Sequence, residues 1–274
     1  MFKLTLRTAT LLPLEVEGIT PERTANRSAL ELAKLPILHG NRHEPLGEHF
    51  TIEPSAIADL QFAGDTSRVK RIGAGMTGGS IVVAGDAGLH AGAQMTGGKL
   101  TIGGDGGDWL GAEMRGGMIE LCGNAGNQLG AAYRGSRHGM RGGTIIVRGS
   151  AGDEAGLLMR RGMIAVEGSV GRFAGASMIA GTIVAQGGIG SQCGAGMKRG
   201  TIVVRSEAGE LPASFRYSCE MESAWHGLFH KQMAELGVTI PAGAVQCYRG
   251  DALTGWRGEI LLLPTALQRD SSSV

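Results

Sequence analysis

The sequence predicts a mainly β protein: a right-handed, single-stranded parallel β-helix of about seven 19-residue coils, with mixed α/β caps at both ends. Three observations predict it. A segment recurs every 19 residues, apolar residues alternate at the start of each recurrence, and glycines fall in fixed columns. A fixed period near 20 residues signals a stacked array in which each unit buries its apolar face against its neighbours.

Coils open at Ser80, Lys99, Met118, Thr144, Met163 and Thr182, and a seventh opens at Thr201 and stops after its first strand. The one long step, from Met118 to Thr144, is a full period plus a seven-residue insertion, Tyr133–Gly139. Ile81, Leu100, Ile119, Ile145, Ile164, Ile183 and Ile202 form one apolar column. Val83, Ile102, Leu121, Val147, Val166, Ala185 and Val204 form another two residues on. Alternation at period two is the pattern of a half-buried strand. A strand that returns in the same direction with no helix-length segment between must lie about 4.8 Å from its predecessor. Parallel crossovers are right-handed on steric grounds.

Glycine columns through Gly85, Gly88, Gly92 and Gly98 mark corners that demand positive φ or close backbone approach. A methionine column runs through Met76, Met95, Met114, Met140, Met159, Met178 and Met197. Stacked thioethers could bind a soft metal, but a like-on-like apolar ladder filling the interior is the better reading. Gly73 and Met76 place a degenerate coil before Ser80, its first corner lengthened near Gly64–Arg71.

The open ends of such an array need covering. Residues 1–60 are expected to form an N-terminal α/β cap, 61–205 the glycine-rich array, and 206–274 a helix-containing cap and tail. Thr20-Pro21-Glu22 signals a helix running to about Lys34 and closed by Pro36, followed by a strand over His49–Glu53. Glu220–Leu236 places Met221, Trp225, Leu228, Phe229 and Leu236 on one helical face, expected to close the far end. Val238–Tyr248 and Glu259–Leu263 read as extended, and Asp270–Val274 as a frayed tail.

Composition excludes several classes. Glycine supplies 48 of 274 residues against only eight prolines, which rules out collagen. A net charge of +1 provides no global field for nucleic acid or membrane. The N-terminus lacks a signal-peptide core, so a cytoplasmic location is expected. Cys122, Cys193, Cys219 and Cys247 form no C-x-x-C pair and read as reduced structural thiols.

Candidate chemistry is sparse. His226 and His230 have helical ligand spacing without an acidic neighbour, and His39, His43 and His49 are discounted likewise, so no metal ligand is assigned. Gly103–Asp108 has the composition of a calcium-binding nonapeptide but the wrong period. The column Asp86, Asp105, Asn124, Ser150, Ser169 supplies no carboxylate cluster, and no catalytic residue is assigned. The one local electrostatic feature is a basic column, Arg115, Arg141, Arg160 and Lys198, flanked by Arg161 and Arg199. With Tyr133, Arg134, Arg137 and His138 of the insertion it forms the candidate surface for an anionic partner or carrier, against the plainer reading of a hydrated edge.

The G-x-x-G-x-x-x-G-A-x-M pattern resembles the repeat shared by the C-terminal domain of the glutamate synthase large subunit and by the C subunit of formylmethanofuran dehydrogenase. The latter includes its bacterial counterpart in the formyltransferase/hydrolase complex. The repeat covers about half of the chain. The flanks, with Pro13–Glu17, Gly40-Asn41-Arg42 and Leu46–Phe50, resemble the C subunit of the dehydrogenase, whereas glutamate synthase would carry the domain at the end of a much longer polypeptide. This resemblance implies a non-catalytic structural subunit of a complex that interconverts formyl-tetrahydromethanopterin and formate through a formyl-furan carrier. It also implies formyltransferase and amidohydrolase-like hydrolase partners, with methylofuran or methanofuran and zinc held in those subunits. The carrier bears glutamates, which a basic ridge would suit. Two alternatives stand beside it: the C subunit of an archaeal tungsten or molybdenum enzyme with iron–sulfur partners, and a free-standing homo-oligomeric β-helix scaffold.

Overall fold

A computed structural model describes residues 1–205, 211–221, 224–241 and 243–264, with backbone alone for 224–226. The tail at Asp270–Val274 and the side chains of Trp225 and His226 lie outside the described residues.

The N-terminal part comprises β1 (Phe2–Leu6), β2 (Leu14–Glu15), α1 (Pro21–Thr24), α2 (Ala29–Ala33), β3 (Pro36–His39), β4 (Arg42–Pro45), α3 (Leu46–His49) and β5 (Phe50–Pro54). Then come β6 (Leu60–Ala63), β7 (Val69–Lys70), β8 (Ser80–Val83), β9 (Lys99–Ile102), β10 (Met118–Leu121), β11 (Arg141–Val147), β12 (Arg161–Val166), β13 (Thr182–Ala185) and β14 (Gly200–Arg205). The chain continues through β15 (Arg216–Met221), α4 (Ala224–Glu235), β16 (Val245–Gly250) and β17 (Gly258–Leu263).

Strands β8 to β14 form a continuous parallel stack, β-helix-like in its pairing. Ser80 pairs with Lys99, Lys99 with Met118, Met118 with Thr144, and so on to Thr201, matching the sequence columns. The second-position column is wholly buried from Ile81 to Ile202, and every methionine of the Met76 to Met197 column is inside. Burying such a side chain stabilises by about 1.5–3 kcal/mol, so the repeated columns are the main source of cohesion.

The glycine columns have two different causes. At Gly92 and Gly98 φ is +61° and +80°, a backbone conformation costly for other residues. At Gly107 φ is ordinary, but a Cβ would stand 2.9 Å from the Gly88 carbonyl carbon one coil below. The acidic column also has a structural use. Asp86 Oδ1 accepts the Asp105 N–H at 2.8 Å, Asp105 Oδ1 the Asn124 N–H at 2.6 Å, and Asn124 Oδ1 the Ser150 N–H at 2.9 Å. A parallel ladder runs from Asp108 through Asn127 and Asp153 to the Arg172 N–H. Each side chain satisfies a donor of the next coil, which the corner geometry would otherwise leave open.

At the N-terminal end β6 precedes β8 with Leu60 opposite Ile81, a step of 21 residues that absorbs the lengthened first corner. Strand β1 pairs parallel with β6 and antiparallel with β5, which becomes the terminal strand of the sheet. A smaller sheet runs β4-β3-β2-β7. The single helix expected from Thr20 to Lys34 is two short helices. Ser28 starts the second through a capping box, accepting the Glu31 N–H at 3.3 Å while Glu31 Oε2 accepts the Ser28 N–H at 2.8 Å.

At the C-terminal end β17 pairs parallel with β14, and β16 and β15 extend the sheet antiparallel. Phe215, itself buried, joins the interior cluster at that end. The expectation that the C-terminal helix closes the far end is corrected: α4 lies on the outer face of the sheet. Its Phe229 and Met233 pack with Ile146, Met163, Ala165, Val184 and Val203, while Leu228 is 72% exposed and Met221 belongs to β15. The cause is the outward-facing strand column, which reads Val82, Thr101, Glu120 and then Ile146, Ala165, Val184, Val203. Four apolar residues in line need a cover.

Candidate partner-binding site

The stacked corners carry the basic column in register. The N–H groups of Arg115, Arg141, Arg160 and Lys198 donate to the carbonyls of Met95, Met114, Met140 and Met178 at 2.7–2.8 Å. Ile179 takes the same place between Arg160 and Lys198, bonded to Met159 O. All four cationic side chains are exposed, as are Arg161 and Arg199. Among the described residues none of the four is within ion-pair distance of a carboxylate.

The insertion leaves the stack between two anchored residues. Ala132 N–H donates to Leu157 O at 3.1 Å and Gly139 N–H to Leu158 O at 2.9 Å, so the ladder closes beneath the loop. Tyr133 turns back over earlier coils: its ring lies 5.1 Å from Trp109 and 5.5 Å from His90, and its hydroxyl is 3.1 Å from His90 Nδ1. Ala74, Ala93 and Ala112 form the floor under the Trp109 and Tyr133 rings. Arg134 and Arg137 are exposed and His138 is half-buried, its N–H donating to Ser136 Oγ at 3.4 Å. The insertion thus divides into an aromatic root and a cationic tip.

Glu113, only 9% exposed, ties loop to corner. It accepts from Gln94 Nε2 at 3.1 Å and from the Tyr133 N–H at 3.4 Å. Burial pushes its carboxyl up, but hydrogen bonds from Ser136, Gln94 and Tyr133, with Arg141 nearby, outweigh that and hold it below the ordinary value. Burial, and then the charges of Arg71 and Lys70, push His90 below its ordinary 6.5, favouring the neutral ring. Burial also raises the Tyr133 phenol, keeping it a hydrogen-bonding group. A cleft of about 330 Å³ opens beside the loop, lined in part by Trp109, Gln128, Tyr133, Arg134, Glu154 and Leu158. Glu154 accepts from Gln128 at 2.9 Å, so one wall is acidic.

His90, Trp109 and Glu113 are absent from the residues the sequence singles out, although a signal exists. His90 and Trp109 are one period apart, between the glycine columns, at a corner where both adopt φ near +60°. Their rings stack with centroids 6.2 Å apart.

No protein-family model matches the chain. Against curated proteins, an 80-residue stretch is 41% identical to the C subunit of the molybdenum-containing formylmethanofuran dehydrogenase 1 of Methanothermobacter thermautotrophicus, covering 28% of this chain and 20% of that protein. A stretch of the same length is 37% identical to the C subunit of the tungsten-containing enzyme 2 of Methanococcus maripaludis, covering 28% and 29%. These alignments span between a fifth and a third of the relatives' length. Among solved structures, a chain of the formyltransferase/hydrolase complex from Methylorubrum extorquens, in complex with methylofuran, superposes with a TM-score of 0.90 at 36% identity, over 96% of this chain and 99% of that one. The chain belongs to the family of formylmethanofuran dehydrogenase C subunits. The near-complete coverage extends the family likeness beyond the repeat to both flanking segments.

Outside the array this family member holds one group with metal-ligand geometry among the described residues: His39, Glu44 and His49, whose donor atoms all lie within 4.8 Å of one another. His43 is exposed and stands apart from it, and His230 is half-buried on α4. No described helix is long and apolar enough to cross a membrane.

Proposed function

We propose that the chain is a non-catalytic structural subunit of a cytoplasmic, multi-subunit C1-transfer complex interconverting formyl-tetrahydromethanopterin and formate through a formyl-furan carrier. The observation that carries this is the likeness, over nearly the whole of both chains, to a chain of the formyltransferase/hydrolase complex solved with methylofuran. Its partners are a formyltransferase and an amidohydrolase-like hydrolase, and the furan carrier and zinc of the reaction reside in them. The ladder of Asp86, Asp105, Asp108 and Asp153 supports a structural role, because these carboxylates already accept backbone N–H groups. We read the array as right-handed, with about seven coils and cap boundaries near residues 60 and 205. In this reading the column Arg115, Arg141, Arg160, Lys198, with Arg134, Arg137 and His138, faces an anionic partner surface or the carrier, and Tyr133 fixes the loop that presents them.

Co-purification through a tag on this chain in its native host tests the reading, with hydrolase and transferase subunits expected in the eluate. Recovery of the chain alone, or only of homo-oligomers, overturns it. The matches to molybdenum and tungsten enzymes favour a second reading, a redox complex. Those matches cover 28% of this chain, whereas the bacterial structure covers 96%. Recovery with iron–sulfur and tungsten- or molybdenum-containing subunits would establish that second reading.

A further inference from the structure

The N-terminal cap holds a cluster that the array and its basic column do not use. His39 ends β3, Glu44 lies on β4 and His49 ends α3, so three separate elements bring their side chains to one point. Glu44 Oε2 is 3.0 Å from His39 Nδ1 and 2.6 Å from His49 Nε2, and the two imidazole rings stand edge to face with centroids 4.9 Å apart. The spacing H-x4-E-x4-H is invisible to a helical ligand template, because the β3–β4 hairpin, not a helix, brings the first two residues together. Leu38 pairs with His43 across this hairpin, so His43 sits one position from Glu44 and falls on the opposite face.

Glu44 Oε2 has two lone pairs and accepts from both imidazoles when both carry a proton toward it. The same three donor atoms offer a divalent ion two neutral nitrogens and one anionic oxygen after a simple tautomer change in each ring. Zinc bonds to such ligands are about 2.0–2.2 Å, which sets tetrahedral ligand separations near 3.4 Å. The 3.0 and 2.6 Å separations from Glu44 widen to that value by less than an ångström, and the two imidazole nitrogens stand within 4.8 Å of each other, close enough to share one ion. Side-chain exposures of 24%, 27% and 13% leave the cluster open on one side for a fourth ligand, from water or from a protein surface.

We propose that His39, Glu44 and His49 form a binding site for a divalent transition metal of the zinc class, fastening the β3–β4 hairpin to α3. Imidazole–carboxylate sets suit zinc, whereas magnesium prefers oxygen ligands throughout. The site is independent of complex membership, so loss of either conclusion leaves the other standing.

The test is calorimetric titration of the chelator-stripped full-length chain with zinc chloride at neutral pH, with magnesium chloride as control. One zinc per chain is expected at micromolar Kd or tighter, with no magnesium response. Glu44→Gln and His39→Ala should weaken zinc binding at least about tenfold, while His43→Ala leaves it unchanged. Cobalt substitution gives a second readout: a d–d spectrum without sulfur charge-transfer bands points to nitrogen and oxygen ligands rather than the cysteines. Absence of stoichiometric zinc uptake by the unaltered chain overturns the proposal. So does uptake that Glu44→Gln leaves unaltered, or a cobalt spectrum with thiolate bands.

Discussion

Two neighbouring columns of the array have opposite fates. Met114, Met140, Met159 and Met197 are wholly buried, and the residues that follow them, Arg115, Arg141, Arg160 and Lys198, are all in solvent. The same ladder holds both columns, since each basic residue's N–H bonds to the methionine carbonyl of the preceding coil. Backbone geometry therefore dictates both positions equally, and only the side-chain environment differs. Inside, the column is uniformly methionine and belongs to one buried core cluster. Outside it reads Thr77, Thr96, Arg115, Arg141, Arg160, Ile179, Lys198, a composition that packing does not require.

The sharpest way to break this contrast is to truncate both columns in one coil. Met159→Ala should cost about 2–4 kcal/mol through lost burial and a residual cavity, whereas Arg160→Ala should stay within about 0.5 kcal/mol. Urea denaturation measures both, and equal losses would show that the outer column is structural after all. Glu113 stands between the two regimes, polar yet nearly buried. Glu113→Ala leaves the Tyr133 N–H and the Gln94 amide without their acceptor and should cost about 1–3 kcal/mol. Amide exchange across residues 133–139 should rise more than exchange in β10 or β11. Uniform exchange would show that Glu113 does not hold the loop.

A smaller effect follows from pH. His90 has a lowered folded-state pKa, so the unfolded chain binds the proton first, and stability falls as pH drops through about 6.5 toward the folded value. Glu113, also lowered, contributes stability that is present above its ordinary 4.5 and is lost as pH falls from there through its folded value. His90→Phe keeps an aromatic ring against Trp109 and should flatten the stability profile in the upper window alone. Glu113→Gln should flatten the lower window. Unchanged slopes in both variants would place the titrating groups elsewhere.

Much of the array is legible in the sequence because its signal is repeated: a column seen at seven positions averages out local ambiguity, and the register pairs Ser80 through Thr201 as the 19-residue period demands. Single-copy features are harder. The break between α1 and α2 rests on one capping box, Ser28 with Glu31, hidden inside an otherwise helical stretch. The placement of α4 is written in the outward column, where Glu120 gives way to Ile146, rather than in the helix itself. At the candidate site the cationic residues are readable from type and spacing. The Tyr133–Trp109–His90 stack is not, because the insertion folds back by up to two coils and no local pattern encodes that reach. Glu44 is hidden for a related reason: its partners meet through a hairpin rather than a helix face.

The smallest expected effect on stability is the most informative about function. Arg115→Glu together with Arg160→Glu alters two exposed side chains that make no ion pair among the described residues, one on each side of Arg141 in a stack whose steps are about 5 Å. Replacing alternate like charges with opposite ones relieves repulsion, so the denaturation midpoint should hold or rise slightly. A partner surface that matches the basic column would then meet repulsion where it met attraction. Assembly should weaken by about tenfold or more, with the deficit largest at low salt, because screening shrinks the difference between attraction and repulsion. The salt dependence separates a docking role from a folding defect: a folding defect would persist across ionic strengths, and a hydrated edge would show no assembly change at any of them. Assembly and activity unchanged at low salt would therefore return the column to an ordinary solvated ridge, leaving the aromatic root of the insertion as the remaining candidate for contact.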